Sequence, residues 1–160
     1  MIIDRNGFRL NVGIVITNEE NRLLWCRRLG QPNAWQFPQG GVQKKETIDE
    51  AMLRELEEEL GLSQMDVKYL FTTPEWLYYR IPKQYRNVQR KPYCRGQKQK
   101  WFLLKLTSSD HRIQLNNALS PEFDRWRWVD YWYPTNHVIL FKRAVYKKVL
   151  SLFEPVLFGM

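Results

Sequence analysis

The chain has 160 residues, 44% hydrophobic and 14% aromatic, which suits one ordered domain (residues 1–160) that folds without covalent staples and argues against disorder. Two cysteines exclude a disulfide framework or a cysteine zinc site, and Cys26 and Cys94 are expected to be idle thiols in a reducing compartment. A net charge of +8 with a pI near 9.6 favours an anionic partner without choosing among nucleic acid, nucleotide and lipid surface.

No basic stretch leading into an apolar run opens the chain, and no run of about 18 uncharged apolar residues occurs. A cytoplasmic protein with no membrane partner is therefore expected. His111 and His137 lack ligand-like spacing and are expected to be structural or surface residues.

In chain order, residues 11–18 (NVGIVITN) and 22–29 (RLLWCRRL) read as strands joined by the polar turn Glu19-Glu20-Asn21. WQFPQGGV, with Pro38 and Gly40-Gly41, predicts a bend leading into a loop. The clearest helix follows, because Thr47 and Glu50 form a capping-box pattern and Gly61 stands where a C-terminal cap belongs. Residues 67–81 and 98–108 predict strands around a polar connection, and 123–132 predicts another. His137 to Phe153 shows helical periodicity. This order implies an α/β sandwich, with a mixed or antiparallel sheet between helices.

The helical segment poses an electrostatic problem. Between Gly40 and Leu62 stand seven acidic residues against three basic ones, in a chain that is otherwise strongly cationic. With Glu55 at 0° on a helical wheel, Glu58 falls near 300° and Glu59 near 40°, at about 100° per residue. These three share a face, Leu53, Leu56 and Leu60 form the expected buried stripe, and Glu57 points to solvent. Carboxylates at this spacing repel one another. A solvated acidic face is one resolution. The other is a hard divalent cation such as Mg²⁺ or Mn²⁺, which prefers oxygen ligands and binds phosphates at the same time.

Gly40, then Glu46, then Arg54-Glu55-Leu56-Glu57-Glu58-Glu59-Leu60-Gly61-Leu62 resembles the Nudix box, with every defining position filled over residues 40–62. The resemblance implies a metal-dependent hydrolase that cleaves a nucleoside diphosphate linked to another group. It assigns metal to Glu55, Glu58 and Glu59, with the Gly40 carbonyl as a further ligand, and support roles to Glu46 and Arg54. A polyphosphate hydrolysed by direct attack of water needs such charge neutralisation and a nearby carboxylate base. No Ser-His-Asp or Cys-His arrangement is needed.

From Trp76 to Ser109 no acidic residue occurs, while nine cations alternate with Tyr78, Tyr79, Tyr85, Tyr93 and Trp101. Such alternation suits single-stranded RNA, and a solvated basic loop with core aromatics is the alternative. FRLNVGIVI (8–16), WQFPQGG (35–41), KPYCRGQKQKWFLL (91–104), PEFDRWRWVDYWYP (121–134) and FKRAVY (141–146) resemble the bacterial RNA 5′ pyrophosphohydrolase branch of the Nudix family. That resemblance implies conversion of tri- or diphosphorylated RNA to 5′-monophosphate RNA, which promotes decay. Hydrolysis of diadenosine tetraphosphate or related dinucleotides is the alternative, and a non-catalytic RNA-binding module is the remote one. Arg9 and Arg28 are expected at the 5′ phosphates or a leading base, Phe141 as a base-stacking ring, and Lys142 as a nearby charge. Glu122 is a candidate further metal ligand or base. Lys98 and Lys100 are expected to face phosphate from the sheet edge. The expected partners are 5′-phosphorylated RNA and nucleotides, with a protein activator as a further candidate and a monomeric chain.

Overall fold

Strand β1 (Phe8–Thr17) is the spine of a mixed sheet in the computed structural model, which describes residues 2–86, 94–116 and 118–159. Val12, Ile14, Val15 and Ile16 are all fully buried, because helices cover both faces of the sheet. Strand β2 (Leu23–Arg28) runs antiparallel to β1, and pairs with β3 (Trp35–Gln36) and β8 (Phe123–Val129). On its far side β1 lies parallel to β7 (Gly96–Leu106), from Phe8 opposite Gly96 to Thr17 opposite Lys105. The short strand β4 (Gln39–Gly41) pairs with β1, setting Gly40 opposite Val12.

Helix α1 (Ile48–Leu60) seals one face, where Leu56 and Leu60 join Val12, Ile14, Leu24, Phe102 and Leu104. Helix α3 (Arg143–Phe158) seals the other, where Tyr146, Val149 and Phe153 join Trp25, Phe37 and Trp101. Edge-on contacts such as Trp25–Phe37 at 5.2 Å and Trp101–Tyr146 at 5.6 Å lock this second core, each worth about 0.5–1.5 kcal/mol beyond burial. The expected α/β sandwich is the observed architecture.

Several boundaries differ from the sequence expectation. Residues 67–81 form two strands, β5 (Val67–Thr72) and β6 (Leu77–Arg80), both antiparallel to β7. The break falls at Pro74, which has no N–H for a ladder, and Thr73 instead exchanges hydrogen bonds with the Trp101 backbone. WQFPQGGV bends at Phe37-Pro38 and leads into the loop of residues 42–47 as expected, and adds the short strands β3 and β4 on either side of the bend. The strand predicted over 123–132 ends at Val129. The helical pattern from His137 divides into α2 (Tyr133–His137), an extended Val138 buried in the core, and α3, which continues to Phe158.

Candidate active site

Helix α1 is built at both ends by its own sequence. The Thr47 hydroxyl accepts from the Glu50 N–H, the Glu50 carboxylate accepts from the Thr47 N–H, and Gly61 closes the helix at φ 67°. The loop before it is clamped by Arg54. Its guanidinium donates to both Glu46 oxygens (2.7 and 3.0 Å), to the Gly41 carbonyl (2.8 Å), to Glu55 (2.8 Å) and to Glu58 (3.3 Å). Glu46 also accepts the Gln43 N–H. Arg54 thus holds the Gly-Gly turn to the helix and screens two of the three clustered carboxylates.

Glu55, Glu58 and Glu59 each present an oxygen within 4.8 Å of the others. The buried face of the helix differs from the expected Leu53–Leu56–Leu60 stripe. Glu55 and Glu59 are inside the buried arc with Ala51, Met52, Leu56 and Leu60, whereas Leu53 is only half-buried; Glu58 and Glu57 are exposed. Burial raises the proton affinity of Glu55 despite Arg54, and it pushes Glu59 up to about 8 with help from Glu122, Glu55 and Glu58.

The Glu55 carboxylate fills the space over Gly40 where a side chain would otherwise be. Glu59 Oε2 is buried with no hydrogen-bond partner among the described residues. A desolvated, mutually repelling, all-oxygen donor set with an orphaned oxygen fits a hard divalent cation.

Glu122 reaches the cluster from the loop before β8, where its carbonyl accepts the Leu29 N–H at 2.8 Å. Its backbone N–H faces the Glu59 carboxylate. Burial raises its proton affinity, and the charges of Arg28, Lys142 and Arg9 oppose that rise. Arg9 comes from the start of β1 and lies over Gly41, its buried Nε lacking a partner among the described residues. The buried Lys142 donates to Gln36 and Gln39 (both 3.3 Å) and stands over the Tyr79 ring at 5.6 Å. Desolvation and Arg28 bring its ammonium down to about 8.

Phe141 packs against Tyr79 (5.8 Å) and Tyr85 (5.6 Å). Arg28, Phe141 and Lys142 wall a recess of about 410 Å³ that also reaches Glu122, Gln39 and Gln97, and a neighbouring one of about 290 Å³. A larger groove of about 540 Å³ runs between α1 and β5, but its apolar lining includes none of the clustered glutamates.

A buried amide chain fixes the polarity of the recess. The Trp101 indole can only donate, so Gln99 must accept with Oε1 (3.0 Å) and donate with its amide to Asn11 (2.8 Å) and Gln39 (3.4 Å). Gln39 is thereby held with its oxygen toward Lys142 and its amide toward the Tyr79 hydroxyl (3.0 Å).

The fold therefore gathers Arg9, Arg28, Phe141 and Lys142 around Glu122, whose backbone N–H in turn faces Glu59 of α1. It does not bring Lys98 and Lys100 there. Alternation along β7 turns Gln97 and Gln99 toward the recess and the lysines to the opposite face, where Lys98 pairs with Asp4 and Lys100 donates to the Pro74 carbonyl. Sequence reasoning chose the charged half of that alternation and missed Gln97 and Gln99, and with them Gln39 of β4; the period-2 pattern signals that glutamines and lysines face opposite sides but not which side meets the recess. Arg90, Lys91 and Tyr93 of the basic segment lie outside the described residues. Cys26 is buried, Cys94 partly so, and both are free. His111 and His137 are exposed, with His137 stacked on Tyr133.

The NUDIX domain pattern matches residues 7–151. The chain is 57% identical over 154 residues to the RNA pyrophosphohydrolase of Coxiella burnetii, covering 96% of this chain and 68% of that protein. It is 51% identical over 154 residues to the RNA pyrophosphohydrolase of Stutzerimonas stutzeri, covering 96% of each. Among solved structures, an Ap4A hydrolase of C. elegans in a binary complex has a TM-score of 0.68 at 23% identity, covering 94% of this chain and 99% of that one. That last likeness is one of fold.

Proposed function

The chain belongs to the NUDIX family of hydrolases, and on that premise we propose that its cleft is the active site of an RNA pyrophosphohydrolase. The enzyme removes pyrophosphate, or phosphate stepwise, from tri- or diphosphorylated RNA and leaves a 5′-monophosphate end, and it acts in the cytoplasm. The observation that carries this reading is the junction of two chemistries. An oxygen cluster suited to a divalent cation adjoins, through Glu122, a cationic recess with a stackable ring.

Glu55, Glu58 and Glu59 would hold the cation, with the Gly40 carbonyl as a further oxygen and Glu122 as a ligand or base. Magnesium or manganese bound there supplies charge neutralisation for the polyphosphate and lowers the pKa of coordinated water. Arg9, Arg28 and Lys142 bring fixed positive charge to the phosphates, so little reorganisation is required as charge builds on the leaving oxygen. Phe141 offers a face for a base, a contact worth about 1–3 kcal/mol. Glu122, whose proton affinity burial has raised, is suited to take a proton from the attacking water. Glu46 and Arg54 keep the loop and helix in register.

End-labelled 5′-triphosphate RNA tests the proposal. With Mg²⁺, monophosphate RNA and released pyrophosphate or phosphate are expected. No release by the wild-type protein with either metal would falsify the reading. A larger specificity constant for diadenosine tetraphosphate than for a short triphosphate RNA would demote RNA to a secondary substrate.

A further inference from the structure

The strands that form one wall of the cleft carry a second surface on their other side. In β1, β7 and β6 the row Arg9, Gln97, Tyr79 faces the α3 side, so the intervening residues Phe8, Lys98, Lys100, Tyr78 and Arg80 face the opposite way. The opposed residues form ordered cation–aromatic stacks. Lys98 and Lys100 stand over the Trp76 ring at 5.1 and 5.4 Å, Arg80 stands over Phe8 at 5.9 Å, and the Phe8 and Tyr78 rings meet edge-on at 5.1 Å. Tyr78 and Arg80 remain exposed.

The array continues into a shallow basic recess of about 300 Å³ lined by Arg5, Asn6, Gly7 and Arg95. Its turn is fixed by Asp4, which accepts the Asn6 and Phe8 N–H groups at 2.9 Å and pairs with Lys98 at 3.1 Å. With Arg9 turned to the other face, residues 2–10, 74–80 and 94–100 supply this surface with Arg5, Arg80, Arg95, Lys98 and Lys100 against Asp4 and Glu75 alone. The surface is continuous with the metal-ligand cluster, because Lys100 is opposite Val12 and Val12 opposite Gly40, under the Glu55 carboxylate. Two strand spacings set Lys100 on the order of 10 Å from Gly40.

We infer that this face of β6 and β7 binds the body of the RNA, the nucleotides downstream of the 5′ end, by phosphate contacts from Arg5, Arg80, Arg95, Lys98 and Lys100 and by base contact with Tyr78. The inference rests on the hydrolase reading and extends it to substrate length. A single strand suits the surface because the exposed Tyr78 ring stands among cations held in place by the half-buried Phe8 and Trp76 rings, so that a base and the flanking phosphates are met together. Triphosphate RNAs longer than a few nucleotides then bind better than the terminal fragment alone.

The test compares triphosphate RNAs of about 3 and about 25 nucleotides on the wild type, the Arg5→Glu/Arg80→Glu variant and Tyr78→Ala. Expected is a lower KM for the long RNA on the wild type. Its advantage should fall at least fivefold in either variant, with the short RNA's KM unchanged within twofold. The salt slope of log KM for the long RNA should also fall by about 0.7 for each phosphate contact removed. Equal losses on both RNAs, or none on the long one, overturn the inference; the latter is the outcome if an acidic protein occupies this face. Fluorescence anisotropy with an unphosphorylated RNA of about 25 nucleotides separates the two readings. Weaker binding by the variants supports the surface even if hydrolysis fails, and unchanged binding overturns it.

Discussion

Gly40 and Glu55 occupy one another's space: a Cβ on Gly40 would lie 2.0 Å from the Glu55 carboxyl carbon. The neighbouring Gly41 stands in the same relation to Arg9, whose guanidinium nitrogen is 2.2 Å from a Cβ built there. The double glycine therefore serves two functional side chains, one on each face of β4. Both obstructing atoms are the ends of flexible side chains, so an alanine is accommodated by moving the functional group.

Gly40→Ala should consequently fold with little change in Tm but lose about a hundredfold in kcat/KM, the scale of an ångström-sized displacement at a reacting centre. Gly41→Ala should raise KM for triphosphate RNA about tenfold or more, the value of a displaced charge-assisted contact. Tm and steady-state kinetics on both variants check this, and a Gly40→Ala enzyme of normal kcat/KM would contradict the cradle.

Glu59 sets a pH dependence for the metal-free protein. Its folded value of about 8 lies above its ordinary 4.5, so its contribution to stability is complete below about 4.5 and is lost as pH rises through 8. Tm of the metal-free protein should fall between pH 5 and 8, and Glu59→Gln should flatten that fall while abolishing turnover. Adding Mg²⁺ at pH 8 should raise Tm of the wild type and do so less for Glu59→Gln. Thermal melts with and without EDTA measure all three.

Lys142 acts in the opposite sense. Its folded value of about 8 lies below its ordinary 10.5, so the folded protein loses this charge above pH 8 while the unfolded chain keeps it. Burial lowers it most, Arg28 adds to the lowering and Glu122 opposes it, with Gln36, Gln39 and Tyr79 in contact. Specificity for triphosphate RNA should decline above about pH 8, while the stability contribution rises from 8 to 10.5. Lys142→Arg, which keeps its charge, should move the decline in kcat/KM to higher pH; an identical profile would remove Lys142 from phosphate binding.

The Trp101–Gln99–Gln39 chain predicts a cost at a residue far from the phosphates. Gln99→Leu removes the partner of the buried Trp101 indole and of the Asn11 oxygen, as well as one of the two donors to Gln39, and should cost about 1–3 kcal/mol of stability. It should also raise KM for triphosphate RNA, because Gln39 no longer holds its oxygen toward Lys142. Gln39→Leu should raise KM with a smaller loss of Tm. Denaturant unfolding and initial rates distinguish the two.

The sequence by itself determined helix α1, its caps, and the clustering of Glu55, Glu58 and Glu59. All of these follow from spacing within one continuous segment, where three and four residues make one helical turn. The Arg54 clamp belongs to the same short range, reaching only to Glu46 and Gly41. Tertiary structure alone decided that Glu55 and Glu59 are buried, since Gly40 of β4 lies against the Glu55 carboxylate and the Glu122 backbone against that of Glu59.

It likewise decided the recess, whose contacts join residues about a hundred positions apart, such as Lys142 with Gln36 and Gln99 with Asn11. Which side of β7 faces that recess depends on the parallel register with β1, and no local pattern of lysine and glutamine fixes it. Composition pointed to an anionic partner and helical spacing to a carboxylate cluster; the sheet, by joining distant strands at one level, decided that the cluster adjoins the cationic recess.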